Sequence, residues 1–123
     1  MKPAIIREKI SPADLARITK ENYGNMVKID VDIEREILTI GGEWHSEGDE
    51  LLSEEDGYKS TNVWGCNFYP WNPPEKRIVF TSLINLKPSI GHRNMEVQDD
   101  QIKERMKGII RSLLLDDNET LDV

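Results

Sequence analysis

The sequence predicts an α+β fold, a four-stranded antiparallel sheet made from two hairpins with helices packed on one face. Two patterns carry this prediction. Between Val27 and Ile33 apolar and charged residues alternate strictly, as in a strand with one buried face. Between Asp99 and Leu113 apolar residues recur with the 3.6-residue period of an amphipathic helix. We expect the domain to span residues 1–115.

The first helix is expected to begin at Ser11. Serine can cap a helix, and Pro12 suits the first helical position because the nitrogen there needs no intrahelical partner. The helix should bury Leu15, Ile18 and Tyr23 on one side. Gly24 follows where a residue with left-handed backbone can end the helix.

The first hairpin is expected where the apolar stretch 37–40 follows the alternating strand. The turn should centre on Glu34 and Arg35, because that register keeps the apolar side chains on one face. The predicted partners are Ile29 with Ile40, Val31 with Leu38, Asp30 with Thr39, and Asp32 with Ile37. The row that contains Asp30 and Asp32 should then form a largely acidic, solvated outer face.

A short helix is expected over residues 47–55, because Ser46 and Asp49 have the spacing of a capping box. A second hairpin should follow, with strands over 63–69 and 77–87 joined by a proline-rich connection. Alternation assigns to the inner faces of these two strands Trp64, Cys66, Phe68, Ile78, Phe80, Ile84 and Leu86.

The last part of the domain combines an irregular segment with the clearest helix. Residues 88–98 show no period and are typical of a loop. Asp99 or Asp100 should begin the last helix. Its apolar face comprises Ile102, Met106, Ile109, Ile110 and Leu113. The acidic tail, residues 116–123, is expected to be disordered.

Charge and composition exclude several classes of protein. The chain has 123 residues and a net charge of −7, and residues 30–56 contain eleven acidic residues against one basic residue. Without a dense cluster of Lys and Arg, direct binding to nucleic acid is not expected. No apolar run is long enough for a membrane helix, and charges interrupt the first nine residues too early for a signal peptide. With one cysteine, Cys66, these features predict a cytoplasmic protein.

Three separated motifs stand out, GGEWH at 41–45, WGCNFYP at 64–70 and SLINLKP at 82–88. Their order resembles an uncharacterised family of small bacterial and archaeal proteins, with the likeness running from Met26 to Leu114. The resemblance implies a family of unknown function and therefore no particular reaction. The chain departs from the family pattern at Trp44, where an aliphatic residue is usual, and at His92 in the loop after Pro88.

The segment after the first hairpin is the first candidate site. Glu43, His45 and Asp49 offer an imidazole and two carboxylates, which could hold a divalent metal or form an acid–base pair. Alternatively, Glu43 and His45 only fix the turn between strand and helix by hydrogen bonds. Cys66 has no partner thiol and is expected to be a buried structural residue.

Three more residues are candidates for the same pocket. Asn67 and Asn85 are amides within the predicted strands and either line the pocket or form a hydrogen bond across the strands. Arg93, close to Gly91, could bind an anion or belong to a solvated loop. If these side chains converge with the first candidate site, they define one concave pocket.

Two functions remain open at this point. The first is a non-catalytic binding or interaction module that self-associates as a homodimer and takes a small-molecule ligand of unknown identity. The dimer interface should lie within residues 57–115, which carry a net positive charge, because two acidic blocks facing each other would repel. The second is a small metal-assisted hydrolase that uses Glu43, His45 and Asp49, with Arg93 stabilising charge.

Overall fold

The computed structural model describes residues 1–123. The protein consists of a five-stranded antiparallel sheet with helices on both faces. The strands are β1 (Ala4–Ile6), β2 (Val27–Asp32), β3 (Ile37–Ile40), β4 (Val63–Phe68) and β5 (Ile78–Val79), and the helices are α1 (Pro12–Glu21), α2 (His45–Ser53) and α3 (Asp100–Leu113). The strand order across the sheet is β1-β3-β2-β4-β5. The α+β class and the antiparallel sheet are confirmed.

Strand β1 is the fifth strand, so the prediction of four strands is wrong. It pairs with β3, with Ala4 opposite Ile40 and Ile6 opposite Leu38. Three residues are too few for a visible alternation, and this strand is held by its pairing with β3 rather than by local preference.

The first hairpin has the predicted register. Asp30 lies opposite Thr39, and the other three predicted pairs of β2 and β3 are also observed. Asp32 holds the turn, because its Oδ1 accepts hydrogen bonds from the backbone nitrogens of Glu34 and Arg35 and its Oδ2 accepts one from Arg35 Nε at 2.6 Å. The carboxylate therefore serves the turn that joins β2 to β3.

The prediction that all helices pack on one face is wrong, because α2 covers the other face. Helices α1 and α3 pack on the apolar face, where the core includes Leu15, Ile29, Val31, Leu38, Ile40, Met106 and Ile110. On the opposite face, Leu52 of α2 packs against Ile37 and Val63. Asp30 and Asp32 point to this second face and are fully buried. The acidic row of β2 is therefore covered by a helix and is not a solvated surface.

Each of the three helices begins where a nearby side chain binds a backbone nitrogen at its first turn. Ser11 caps α1 by accepting a hydrogen bond from Asp14 N, as expected, although Tyr23 is 41% exposed rather than buried. Helix α2 begins two residues before the predicted start, because the Glu47 carboxylate accepts the Trp44 N–H at 2.8 Å. Asp99 caps α3 at the predicted place.

The second hairpin is shorter than predicted, since β5 contains only Ile78 and Val79. The chain turns at Ser82, whose hydroxyl accepts a hydrogen bond from Ile84 N, and continues in 3-10 turns at Leu83–Asn85 and Pro88–Ile90. The side-chain amide of Asn85 forms hydrogen bonds with both the backbone nitrogen and the carbonyl oxygen of Gly65, in place of the backbone of a neighbouring strand. A side chain thus replaces the backbone partner that the prediction assumed.

This turn changes which face two apolar residues reach. Phe80 packs beside the large core below α3, as predicted. Ile84 instead packs with Leu52 on the second face, and Leu86 is 42% exposed. The predicted inner face of this strand is therefore wrong beyond Phe80.

The tail, expected to be disordered, makes defined contacts in the structure. Arg77 is buried and donates hydrogen bonds to the carbonyl oxygens of Asp116 and Glu119. Leu121 lies in the large core, and Lys9 forms an ion pair with Glu119. None of the helices is long and apolar enough to cross a membrane.

Candidate functional site

The second face of the sheet holds a buried histidine beside a buried aspartate. His45 is the first residue of α2, and its Nδ1 lies 2.7 Å from Asp30 Oδ1 on β2. The other Asp30 oxygen accepts a hydrogen bond from Thr39 Oγ1 at 3.2 Å. Asp30 is fully buried and His45 is 9% exposed, so water does not screen this pair.

The imidazole of His45 links the carboxylate of Asp30 to an amide on β4. Its second ring nitrogen, Nε2, lies 3.0 Å from Asn67 Oδ1, so both ring nitrogens have a hydrogen-bond partner. Burial raises the pKa of Asp30, while the hydrogen bond from His45 and its charge act in the opposite direction.

Two glycines make room for these side chains. A Cβ atom at Gly48 would lie 2.0 Å from Asp30 Oδ2 and 2.3 Å from Thr39 Oγ1. A Cβ atom at Gly65 would lie 2.7 Å from Ser82 Oγ and 3.1 Å from His45 Nδ1. The close approach of α2 and of the Ser82 turn to the sheet therefore requires glycine at both positions.

A cavity of about 280 Å³ opens beside His45. Its lining residues are Lys28, Trp44, His45, Ser46, Asn67, Thr81, Ser82, Leu83, Ile84 and Met95. Lys28 and Asn67 lie opposite each other on β2 and β4 and contribute the part of the lining that belongs to the sheet. The start of α2 and the turn after β5 supply most of the rest.

The lining combines polar groups on the sheet with exposed apolar side chains. Trp44, Leu83 and Met95 are 60%, 68% and 44% exposed. The Lys28 ammonium has no carboxylate partner and lies 5.3 Å from the centre of the Tyr23 ring. The amide nitrogen of Asn67 donates to no other protein group, so it too is free to bind a ligand.

Two of the predicted site residues, His45 and Asn67, meet in this cavity. Glu43 and Arg93 are exposed and do not line it. Asn85 is fully buried in a 3-10 turn and bonds the backbone of Gly65, so it neither lines the cavity nor pairs with Asn67 across two strands. The structure therefore unites only part of the predicted pocket.

Asp49 is engaged elsewhere, where its Oδ1 accepts a hydrogen bond from the Tyr58 hydroxyl at 2.8 Å. Burial, followed by the hydrogen bond to Asp49, raises the pKa of Tyr58 to about 12. Across residues 1–123, no three His, Cys, Asp or Glu side chains are placed to hold a metal ion. The predicted ligand set of Glu43, His45 and Asp49 is thus not assembled.

Cys66 is fully buried on the apolar face, and burial raises the pKa of its thiol. Both features suit a structural thiol and oppose a nucleophilic one, because the reactive form is the thiolate.

Lys28, Asp30, Ser82 and Met95 were not among the predicted site residues. Lys28 and Asp30 belong to the row interpreted as a solvated face, and Ser82 was placed inside a strand. One signal could have found part of the site: Gly65 interrupts an otherwise regular strand, and glycine within a strand often marks close approach by another group.

Fold and cavity define a three-layer α+β protein with a buried histidine and aspartate at the edge of a small cavity. The chain belongs to the family described as protein of unknown function (DUF5674), whose model matches residues 4–113. No curated protein matches the chain. No solved structure matches it either.

Proposed function

We propose that the protein is a binding module for a small molecule and that the cavity beside His45 is the binding site. The observation that carries the proposal is the meeting of free polar groups and exposed apolar side chains at one concavity. Lys28 and the amide nitrogen of Asn67 supply the free polar groups, and Trp44 and Leu83 supply apolar surface. Binding sites for small molecules combine these two kinds of surface.

The geometry favours binding over metal-assisted hydrolysis. A catalytic metal needs about three protein ligands around one point. Here the His45 ring nitrogens are bonded to Asp30 and Asn67, and Asp49 is bonded to Tyr58. The polar groups at the cavity are suited to hydrogen bonding a ligand without a metal.

The proposal is tested by amide NMR with a fragment set of benzyl alcohol, phenylacetate, phenylacetamide and phenethylamine, each at millimolar concentration. We expect at least one compound to shift the signals of Trp44–Ser46 and Thr81–Ile84 in a saturable manner. Trp44→Ala should weaken this binding, because the indole lines the cavity. Ile90→Ala, at a residue that is 53% exposed and outside the cavity, is the matched control.

Two results would contradict the binding module. One is the absence of saturable shifts with all four compounds. The other is a set of shifts centred outside the cavity that Trp44→Ala leaves unchanged.

Self-association is a second proposal, supported by a separate observation. Five large apolar side chains between residues 79 and 95 are 42% exposed or more, namely Val79, Leu83, Leu86, Ile90 and Met95. All of them lie in the segment 57–115, where charge repulsion between copies is weaker than between two copies of the acidic residues 30–56. A second copy would cover apolar surface that is otherwise in water.

Sedimentation equilibrium at tens of micromolar tests the dimer. We expect a mass near twice 14.2 kDa for the wild type and a shift towards monomer for Ile90→Glu. The control is Glu50→Lys, which reverses the charge of an exposed residue in the acidic segment 30–56. A wild-type mass of one chain would remove the proposal.

A cytoplasmic location also remains a proposal. Its support is Cys66, which has no partner thiol and lies fully buried. Fractionation of cells that express the chain, followed by detection with an antibody, would test it.

A further inference from the structure

We infer that the ligand of the cavity is a small organic anion, a carboxylate on an aromatic or branched apolar body. This inference rests on the proposed binding function and assigns the ligand's charge and size. It depends on how charge is distributed around the cavity and on which groups lack partners.

The cavity contains no acidic residue although the protein is strongly acidic. The chain has 23 Asp and Glu residues and a net charge of −7, yet none of the ten lining residues is acidic. Lys28 contributes an ammonium without an ion-pair partner, held against the Tyr23 ring instead. An anion in the cavity would give this ammonium the opposite charge that the protein does not supply.

The nearest carboxylates do not take that role. Asp30 is fully buried behind the lining, and its two oxygens are hydrogen-bonded to His45 and Thr39. Glu47 is bound to the backbone nitrogen of Trp44, and Glu43 is exposed to solvent. Lys28 is therefore available to a ligand.

The start of α2 adds to the positive character of the cavity. Trp44, His45 and Ser46 line it, and they are the N-cap and the first two residues of this nine-residue helix. The N-terminal end of a helix carries a partial positive charge from its aligned peptide dipoles. The Glu47 carboxylate, bound to the Trp44 nitrogen, offsets part of this charge, so the preference for an anion rests on the ammonium of Lys28.

Volume and apolar lining limit the rest of the ligand. A volume of about 280 Å³ equals the liquid volume of about nine water molecules. A ligand of about ten non-hydrogen atoms fits this space. Trp44, Leu83, Ile84 and Met95 form the apolar part of the lining, which suits an aromatic or branched body.

Three compounds of matched shape separate charge from shape, namely phenylacetate, phenylacetamide and phenethylamine. Binding is measured by amide NMR titration at pH 7 and constant ionic strength. We expect phenylacetate to bind with a millimolar dissociation constant and about tenfold more tightly than phenylacetamide, since the anion gains a charge-assisted hydrogen bond. Phenethylamine should bind more weakly than both.

Variants at Lys28 assign the preference to the ammonium. Lys28→Gln should make the affinities for phenylacetate and phenylacetamide equal, whereas Lys28→Arg should keep the anion preferred. Lys20→Gln is the control, because Lys20 lies over the Trp71 ring at 5.7 Å and does not line the cavity. Thermal unfolding of each variant verifies that it is folded at the titration temperature.

The outcomes distinguish this inference from the proposed function. Equal binding of phenylacetate and phenylacetamide at the cavity, or tighter binding of phenethylamine, would refute the inference that the ligand is an anion. The proposed binding function would still stand. Anion preference that survives Lys28→Gln would refute the role of Lys28. If none of the three compounds nor benzyl alcohol binds, the proposed function fails.

Discussion

The two faces of the sheet are both buried, but they are buried by different means. On one face, Ile29 and Val31 lie in a core of apolar side chains under α1 and α3. On the other face, Asp30 and Asp32 of the same strand are fully buried, and their carboxyl groups are bonded to His45 and Arg35. Strand β2 thus alternates between an apolar core and a polar core, and not between core and water.

The difference shows where the specific chemistry of this protein is found. Apolar packing tolerates substitution by residues of similar volume, whereas a buried polar group must meet a particular partner in a particular geometry. On the polar face these partners are Thr39, His45 and Asn67, and the cavity opens next to them. The apolar face stabilises the fold, while the polar face carries the candidate site.

The largest expected effect is on the apolar face. Ile29→Ala should lower the free energy of unfolding by about 3–4 kcal/mol, because it removes a fully buried side chain and leaves a cavity. Urea denaturation measures the change. Ile90→Ala removes the same atoms from an exposed position and should change stability by less than about 0.5 kcal/mol. Equal effects of the two substitutions would show that Ile29 is not in the core.

A smaller effect is expected where α2 meets the polar face. Gly48→Ala should destabilise the protein by about 2–3 kcal/mol, since the new Cβ would overlap Asp30 and Thr39 unless the helix moves. Gly108 in α3 has open space around it, so Gly108→Ala should stabilise by about 0.5–1 kcal/mol. Chemical denaturation of both variants gives the sign of each change in the free energy of unfolding. Stabilisation by Gly48→Ala would mean that α2 does not lie close to Asp30.

The sequence could predict the apolar face well and the polar face poorly, for a physical reason. A hydrophobic period contains the information on which residues share a core, so the hairpin register and α3 follow from it. A polar residue in a strand has no such signature, because its burial depends on a partner distant in sequence. Asp30 looks like a surface residue until His45, fifteen positions later, is placed over it.

The end of the second hairpin shows the same limit. Apolar alternation continues past Thr81, yet the Ser82 hydroxyl and the Asn85 amide replace the strand with turns. Hydrogen bonds from such side chains to the nearby backbone compete with the backbone hydrogen bonds between strands. The alternation of apolar residues in the sequence contains no sign of them. The cavity lies at this turn, which is why only His45 and Asn67 of its lining were predicted as site residues.

The coupling between Asp30 and His45 tests whether the polar face is a network. Asp30→Ala and His45→Ala should each destabilise the protein, because each leaves the other partner buried without its hydrogen bond. The double variant should cost about 1–2 kcal/mol less than the sum of the single variants. A double-mutant cycle from urea denaturation measures this difference. Additive effects would show that the two side chains do not interact.

The smallest effect concerns Tyr58, at the edge of the polar face. Its pKa is raised to about 12, first by burial and then by the hydrogen bond to Asp49. In the unfolded chain the phenol loses its proton near its ordinary pKa of 10.0, while the folded protein retains the proton up to about pH 12. Ionisation therefore favours the unfolded chain across this range. The stabilising contribution of Tyr58 is complete below pH 10 and is lost as the pH rises towards 12.

Thermal melts between pH 9 and pH 12 measure this contribution. Tyr58→Phe should flatten the decline of the melting temperature over that range, because phenylalanine has no proton to lose. Asp49→Asn should flatten it in part, since the variant keeps a hydrogen-bond acceptor but removes the negative charge that opposes ionisation. A decline that both variants leave unchanged would place the alkaline instability outside the polar face. A decline reduced only by Tyr58→Phe would assign the raised pKa to burial alone, with the hydrogen bond to Asp49 contributing little.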